Sequence, residues 1–313
     1  MGFVSLTALS FVPAQARLDS KQAECDPLGW FPENLDLKDH SVFWFDGYYY
    51  LVATQLPRSK QFVYARTVDM CVWEEMTPIL TERAQGDWDE AAIWAPYIWE
   101  EGGVFYMVYT GVTREFTQSI LLATSTNPAD PLSWEKKGMI FQPDHEGMVW
   151  VEGQWADCRD PSVLMAGNTY FMYYTGVDAD GGIVGMATSP APYGPWRDWG
   201  STILPLPDQA LPESPTTIVH DGVYYLFYND SKQGEVFRIG ASPAGPWMVP
   251  EAFRPGWAHE VWQIPNGEWY TSYLTDYSIT ISPLTWDSFF SPPHPFIGDE
   301  VHHTVIPFVL MWN

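Results

Sequence analysis

Residues Asp39 to Thr54 read DHSVFWFDGYYYLVAT: an apolar run, a turn carrying Gly47, then an aromatic run. The pattern returns at Trp94–Thr110 (WAPYIWEEGGVFYMVYT), Asp160–Thr175 (DPSVLMAGNTYFMYYT), Glu213–Tyr228 (ESPTTIVHDGVYYLFY) and His259–Tyr273 (HEVWQIPNGEWYTSY). The turn glycines Gly47, Gly103, Gly167, Gly222 and Gly267 stand 56, 64, 55 and 45 residues apart. A period of that size with several strands per unit marks a β-propeller, and five copies predict an all-β, five-bladed one.

Each copy reads as the first two strands of a blade. The aromatic runs suit a pleated, half-buried surface, and DG, GG and NG turns supply the positive φ that tight hairpins need. Third strands are predicted at Phe62–Arg66, Ile120–Ser125, Gly182–Ser189, Val236–Ser242 and Ser278–Ser282. A tryptophan follows each (Trp73, Trp134, Trp196, Trp247 and Trp286) and is read as blade packing. One domain spans 17–313, with blades near 36–80, 90–141, 157–204, 212–250 and 257–288 and a tail at 289–313. Either end of the chain could close the ring.

Innermost strands of a propeller run beside its axis, so residues at the same end of them converge. Seven to nine residues before each turn glycine stand Asp39, Ala95 (beside Trp94), Asp160, Glu213 and His259. Three carboxylates and a histidine at one repeat phase predict a chemical pocket there, since an axis lined for packing alone favours small or apolar residues.

With 15 Lys and Arg against 39 Asp and Glu, the net charge is −24. Such a surface repels nucleic-acid phosphates and anionic lipid heads, so neither is an expected partner; a neutral substrate is. Residues 1–16 pair an apolar stretch with Ala14-Gln15-Ala16, as at the end of a signal peptide, but lack a basic start. They predict a secreted or periplasmic protein, or a cytoplasmic one if they are only an uncleaved lead. The three cysteines fit no metal spacing. Cys25 and Cys71 could pair after export, and Cys158 lies two residues from Asp160.

These residues carry a resemblance. The chain is similar to the five-bladed propeller glycoside hydrolases, family 43 most nearly, with families 32 and 68 as relatives. It rests on Asp39 in LKDHSVFWFDGYYYL, Trp94 in IWAPYIW, Asp160 in CRDPSV, Glu213 in PESPTTIVHDGVYYLFY and His259 in WAHEVWQIPNGEWY. His40 stands where proline usually follows the first Asp. The Trp-x-Asn-Asp-Pro-Asn-Gly motif of family 32 is missing and its Glu-Cys pair is Glu213-Ser214, which speaks against an invertase or levansucrase.

The resemblance implies a glycosidase for a neutral glycan such as an arabinofuranosyl or xylosyl one, inverting, with no required cofactor. Glycosidic cleavage needs a protonated carboxyl for the leaving oxygen and an ionised one on the other face of the sugar. Glu213 is the expected acid, raised by nearby carboxylates. Asp39 is the expected base, or the nucleophile of a retaining enzyme, and Asp160 orients and tunes the acid. Trp94, Trp155, Arg159 and His259 are the expected substrate contacts. His259 could instead hold calcium or water at the axis, as in some family members, or be a structural histidine. Trp150, Glu152 and Asp157 in the 2–3 connection are reserves, and Asp87, Asp89 and Glu90 read as a solvated loop. Glu260 should face away from the axis if its strand is regular. Two readings stay open beside the hydrolase: a non-catalytic carbohydrate-binding propeller, and a sugar phosphorylase or transglycosidase, for which the basic phosphate site is thin.

Overall fold

The computed structural model describes residues 25, 27–57, 59–203, 211–253, 256–287 and 293–297. The expected leader and the tail histidines His302 and His303 lie outside the described residues.

A short strand, β1 (Leu28–Trp30), precedes four antiparallel sheets of four strands, each in plain sequence order. Blade one is β2 (Asp36–Phe45), β3 (Tyr48–Leu56), β4 (Phe62–Thr67) and β5 (Glu74–Ile79). Blade two is β6 (Ala92–Glu101), β7 (Val104–Val112), β8 (Gln118–Ser125) and β9 (Glu135–Phe141). Blade three is β10 (Cys158–Ala166), β11 (Thr169–Asp178), β12 (Gly181–Ser189) and β13 (Arg197–Ile203). Blade four is β14 (Glu213–His220), β15 (Val223–Asp230), β16 (Gly234–Gly240) and β17 (Glu251–Ala252). Blade five holds β18 (Trp257–Gln263), β19 (Trp269–Thr275), β20 (Ser278–Asp287) and β21 (His294–Ile297). The inner strands β2, β6, β10, β14 and β18 touch in a closed cycle, β18 returning to β2. Among the described residues no helix is long and apolar enough to cross a membrane.

The uninterrupted aromatic runs follow from this ring. A middle strand is packed on both faces, because each blade is stacked between two others. Tyr50 and Val52 face blade two, while Tyr49, Leu51 and Ala53 face blade five. Tyr225 and Phe227 face blade five, while Leu226 and Tyr228 face blade three. The core is therefore five inter-blade layers rather than one centre. At the hairpins, Asp46 and Gly47 both take positive φ, as do Asp221 and Gly222, which is the backbone that a two-residue turn between twisted strands requires.

Both ends complete blade five. β1 pairs the first half of β20 (Leu28 opposite Ile281) and β21 pairs its second half (Leu284 opposite Ile297). The chain therefore joins β1 to blade five before it enters blade one. Gly29 is fixed by this contact: a Cβ there would lie 2.1 Å from the Ile279 carbonyl oxygen. Its N–H bonds the Met70 carbonyl at 2.9 Å, and a Cys25–Cys71 disulfide ties the same segment to blade one. The disulfide thus clamps the closing strand to the first blade. Replacing Cys25 and Cys71 together with serine should cost roughly 2–4 kcal/mol. A melting curve read against wild type, with and without reductant, checks it; reductant should shift wild type and leave the variant unchanged.

Candidate active site

The inner strands do not enter the ring as regular strands. Each breaks register once near its start: Lys38/His40, Trp94/Tyr97, Arg159/Ser162, Glu213/Thr216 and Trp257/Glu260. At each break one non-glycine residue has positive φ: Asp39, Ala95, Asp160, Ser214 and Ala258. Such a conformation costs roughly 1–3 kcal/mol per residue and survives only where the surroundings hold it. The surroundings are visible in the repeats. Thr54 at the end of blade one's motif accepts from Ala95 N–H at 3.0 Å, and Thr110 accepts from Asp160 N–H at 3.1 Å. In the next step Ser214 N–H turns to Asp160 itself, 3.1 Å to Oδ2.

A bulge aims consecutive side chains at one end of the strand instead of at opposite faces. The bulge residues Asp39, Ala95, Asp160, Ser214 and Ala258 ring the axial cavity; of the residues one earlier, Lys38, Trp94, Arg159 and Glu213 line the cleft beside it, and Trp257 holds the equivalent place in blade five. This corrects the phase read from the sequence: Glu213 does not share the position of Asp39 and Asp160. It stands level with Arg159 and meets it, with Arg159 Nη2 donating to Glu213 Oε1 at 2.7 Å. His259 is likewise displaced, one residue beyond the bulge.

Asp39, Asp160 and Glu213 come together in one cleft of about 560 Å³, with Lys38, Trp94, Trp155 and Arg159 on its walls. Burial, countered by Lys38 and reinforced by Asp160 and Glu213, pushes the Asp39 carboxyl up to about 7. Burial also raises Asp160, against the pull of Arg159. Glu213 is the most accessible of the three, its side chain 27 % exposed against 10 % for Asp39 and 8 % for Asp160.

The substrate contacts expected from sequence divide. Trp94 lines the cleft, and Trp155 stands exposed at its rim, its ring stacked 5.6 Å from Phe116. Arg159 lines the cleft too, but its guanidinium is engaged by carboxylates: it pairs with Asp157, Glu213 and, at 3.9 Å, Asp160. Asp157 also accepts from Trp155 Nε1 at 3.2 Å, so it supports the site from behind. His259 lies outside the cleft. It is buried against Phe253 and Tyr273 and lines a narrow axial cavity of about 30 Å³ with His40, Pro96, Pro161 and Pro215. Glu260 lines the same cavity, because the bulge spoils the alternation that would have turned it away.

The donor set does not fit a calcium site built from protein side chains. Neither ring nitrogen of His259 has a hydrogen bond, but the facing group is one carboxylate, Glu235 at 3.5 Å. Calcium takes six to eight oxygens, and no group of three His, Cys, Asp or Glu side chains converges among the described residues.

Cys158 is a free, fully buried thiol, and burial pushes it well up, which disfavours the thiolate a nucleophile needs. Two further expectations change. Asp89 is not solvated: it is buried against Arg83 (3.2 Å), Lys136 (2.7 Å) and the Tyr109 hydroxyl (3.3 Å). Trp150 donates to the Gln118 carbonyl at 2.8 Å and, with exposed Glu152, borders a separate surface depression. That connection is pinned by His145, whose ring nitrogens lie 2.6 Å from both Asp178 and Asp198.

Lys38 and Trp257 escaped the sequence reading. Alignment on the residue after the bulge finds both. Ala95-Pro96, Asp160-Pro161 and Ser214-Pro215 then match, and WAPYIW (94–99) repeats as WAHEVW (257–262).

Comparison with known proteins bears on the fold and on the first blades. The family model "Glycosyl hydrolases family 43" matches residues 33–163. A probable arabinan endo-1,5-α-L-arabinosidase B of Aspergillus oryzae is 34 % identical over 81 residues, 24 % of this chain and 22 % of that protein. The match thus spans about a fifth of the length of the curated relatives. Among solved structures, a thermostable family-43 glycoside hydrolase superposes with TM-score 0.66 at 18 % identity, over 87 % of this chain and 95 % of that one. An exo-1,5-α-L-arabinanase from a bovine ruminal metagenomic library gives 0.66 at 20 %, over 89 % and 100 %. At those identities the likeness speaks for the fold. Together, the chain resembles the family 43 glycosyl hydrolases in sequence over its first blades, and its described residues form a five-bladed propeller.

Proposed function

We propose that this protein is a glycoside hydrolase that cleaves arabinofuranosyl or xylosyl linkages of a neutral glycan with inversion. One observation carries the reading: three carboxylates meet in one cleft, two on strained bulges and the third held by an arginine from the neighbouring blade. Packing alone would not place them so.

In this reading Glu213 protonates the leaving oxygen, for which its accessibility suits it. Asp39 removes a proton from the water that attacks the opposite face of the sugar. Asp160 touches no transferred atom. It accepts from Ser214 N–H and so fixes the backbone beside Glu213. Arg159 orients Glu213 through a charge-assisted bond, and Trp94 offers a face to the sugar ring. The pentose preference draws on the similar arabinan-degrading proteins. The Cys25–Cys71 disulfide supports export to an oxidising compartment.

The test is a release assay on aryl glycosides and plant polysaccharides, with the first-formed anomer followed by NMR. Release of one pentose with inverted configuration is expected. Glycan binding with no sugar released across the panel would make the protein a binding propeller, and turnover that requires phosphate would make it a phosphorylase.

A further inference from the structure

We propose that Lys38 is a positioning residue that holds Asp39 in its ionised form, so that the acidic limit of the site is set by a lysine on the same bulge. The inference rests on the reading of Asp39 as the base.

In a regular strand Lys38 and Asp39 would point to opposite faces. The register break between Lys38 and His40, with Asp39 at φ 29°, brings both to the mouth of the ring. Lys38 Nζ then lies 4.0 Å from Asp39 Oδ2. Blade three repeats the device, with Arg159 Nε 3.9 Å from Asp160 Oδ2. The two cations are used differently. Arg159 is shared among Asp157, Asp160 and Glu213. Among the described residues Lys38 forms one ion pair, with Asp39. The chain has only 15 Lys and Arg, which makes a lysine beside this carboxylate a specific feature of the site.

The groups facing Asp39 define the balance. Blade one gives Lys38, blade three gives Arg159 and Asp160, and blade four gives Glu213. Blade two presents Trp94 and Ala95, which carry no charge; the blade-one loop adds Lys60 at the cleft wall, and blade five sets His259 and Glu260 deeper in the axis. Burial and two carboxylates favour the protonated acid, and Arg159 is already shared among three acids. Lys38 also feels Asp160 and Glu213, but Asp39 is its strongest partner and the one it pairs with.

An opposite charge at this distance moves a carboxyl by about one unit or more. Lys38→Gln should therefore raise the acidic limb of kcat/KM by about one pH unit, a loss of about tenfold on that limb that shrinks as pH rises. Lys38→Arg should restore the limb. A loss of equal size at every pH, with the limb unmoved, would overturn the proposal and make Lys38 a plain substrate contact. A second readout is independent of turnover: the side-chain carboxyl 13C resonance of Asp39, assigned by its disappearance in Asp39→Asn. Its titration should move up by about one unit in Lys38→Gln, and no movement overturns the proposal even in a protein that cleaves nothing. Activity that survives in Asp39→Asn would instead sink the assignment of the base and leave the NMR result for Lys38 standing.

Discussion

Replacing Glu213 with glutamine should cut the hydrolysis of an unactivated glycan about a thousandfold, within the range for loss of a general acid. Glutamine keeps an oxygen for the Arg159 bond that glutamate accepts at 2.7 Å, so the fold and the position of the side chain should persist. What is lost is the proton. A sugar leaving group needs that proton, because its alkoxide is a poor leaving group. A dinitrophenoxide does not need it, so dinitrophenyl glycosides should lose less than about tenfold. Steady-state kinetics on the two substrate types, with a melting curve as control, make the check. Equal losses on both would remove Glu213 from the acid's role.

Asp39→Asn should be at least as severe, about a thousandfold or more on every substrate whatever its leaving group. The water still has to lose its proton, and an amide cannot take it. Added azide, which needs no base, should restore turnover and give the glycosyl azide of inverted configuration. Azide inverts equally where the residue removed is a nucleophile, so the first-formed anomer of the wild-type product separates the two: inverted for a base, retained for a nucleophile. The wild-type profile supplies the pH dependence. The carboxyl of Asp39 is pushed up to about 7, chiefly by burial, and the base works only when ionised. Rate should therefore fall as pH drops through about 7 in the free protein.

Much of this molecule is written locally. Five apolar–glycine–aromatic units are enough to specify hairpins, because period-two pleating and positive-φ turns are properties of a few neighbouring residues. The number of units then fixes the number of blades. The acids Asp39, Asp160 and Glu213 could be picked out for the same reason: they recur near one phase of a repeat. The same aromatic runs read as half-buried in sequence, and stacking of each blade between two others buries both of their faces.

The tertiary structure decided what depends on contacts between blades. The closing of blade five by both β1 and β21 pairs residues such as Leu28 and Ile281. Nothing within either segment specifies such a partner. The bulges decided the site. The turn glycine stands eight residues after the bulge residue in blades one, two and four, seven in blade three and nine in blade five, so a window of seven to nine residues put Glu213 and His259 on the ring that Ser214 and Ala258 occupy. The extra residue of each bulge also shifts the side-chain phase along its strand. The same shift brought Lys38 beside Asp39, sent His259 below the cleft and let Glu260 into the axis. Partners followed from these placements, as when Arg159 meets Glu213 54 residues away. Local sequence sets which groups are present and roughly where along a strand. Their distances and charges are set by how five blades press their strained strand starts against one another.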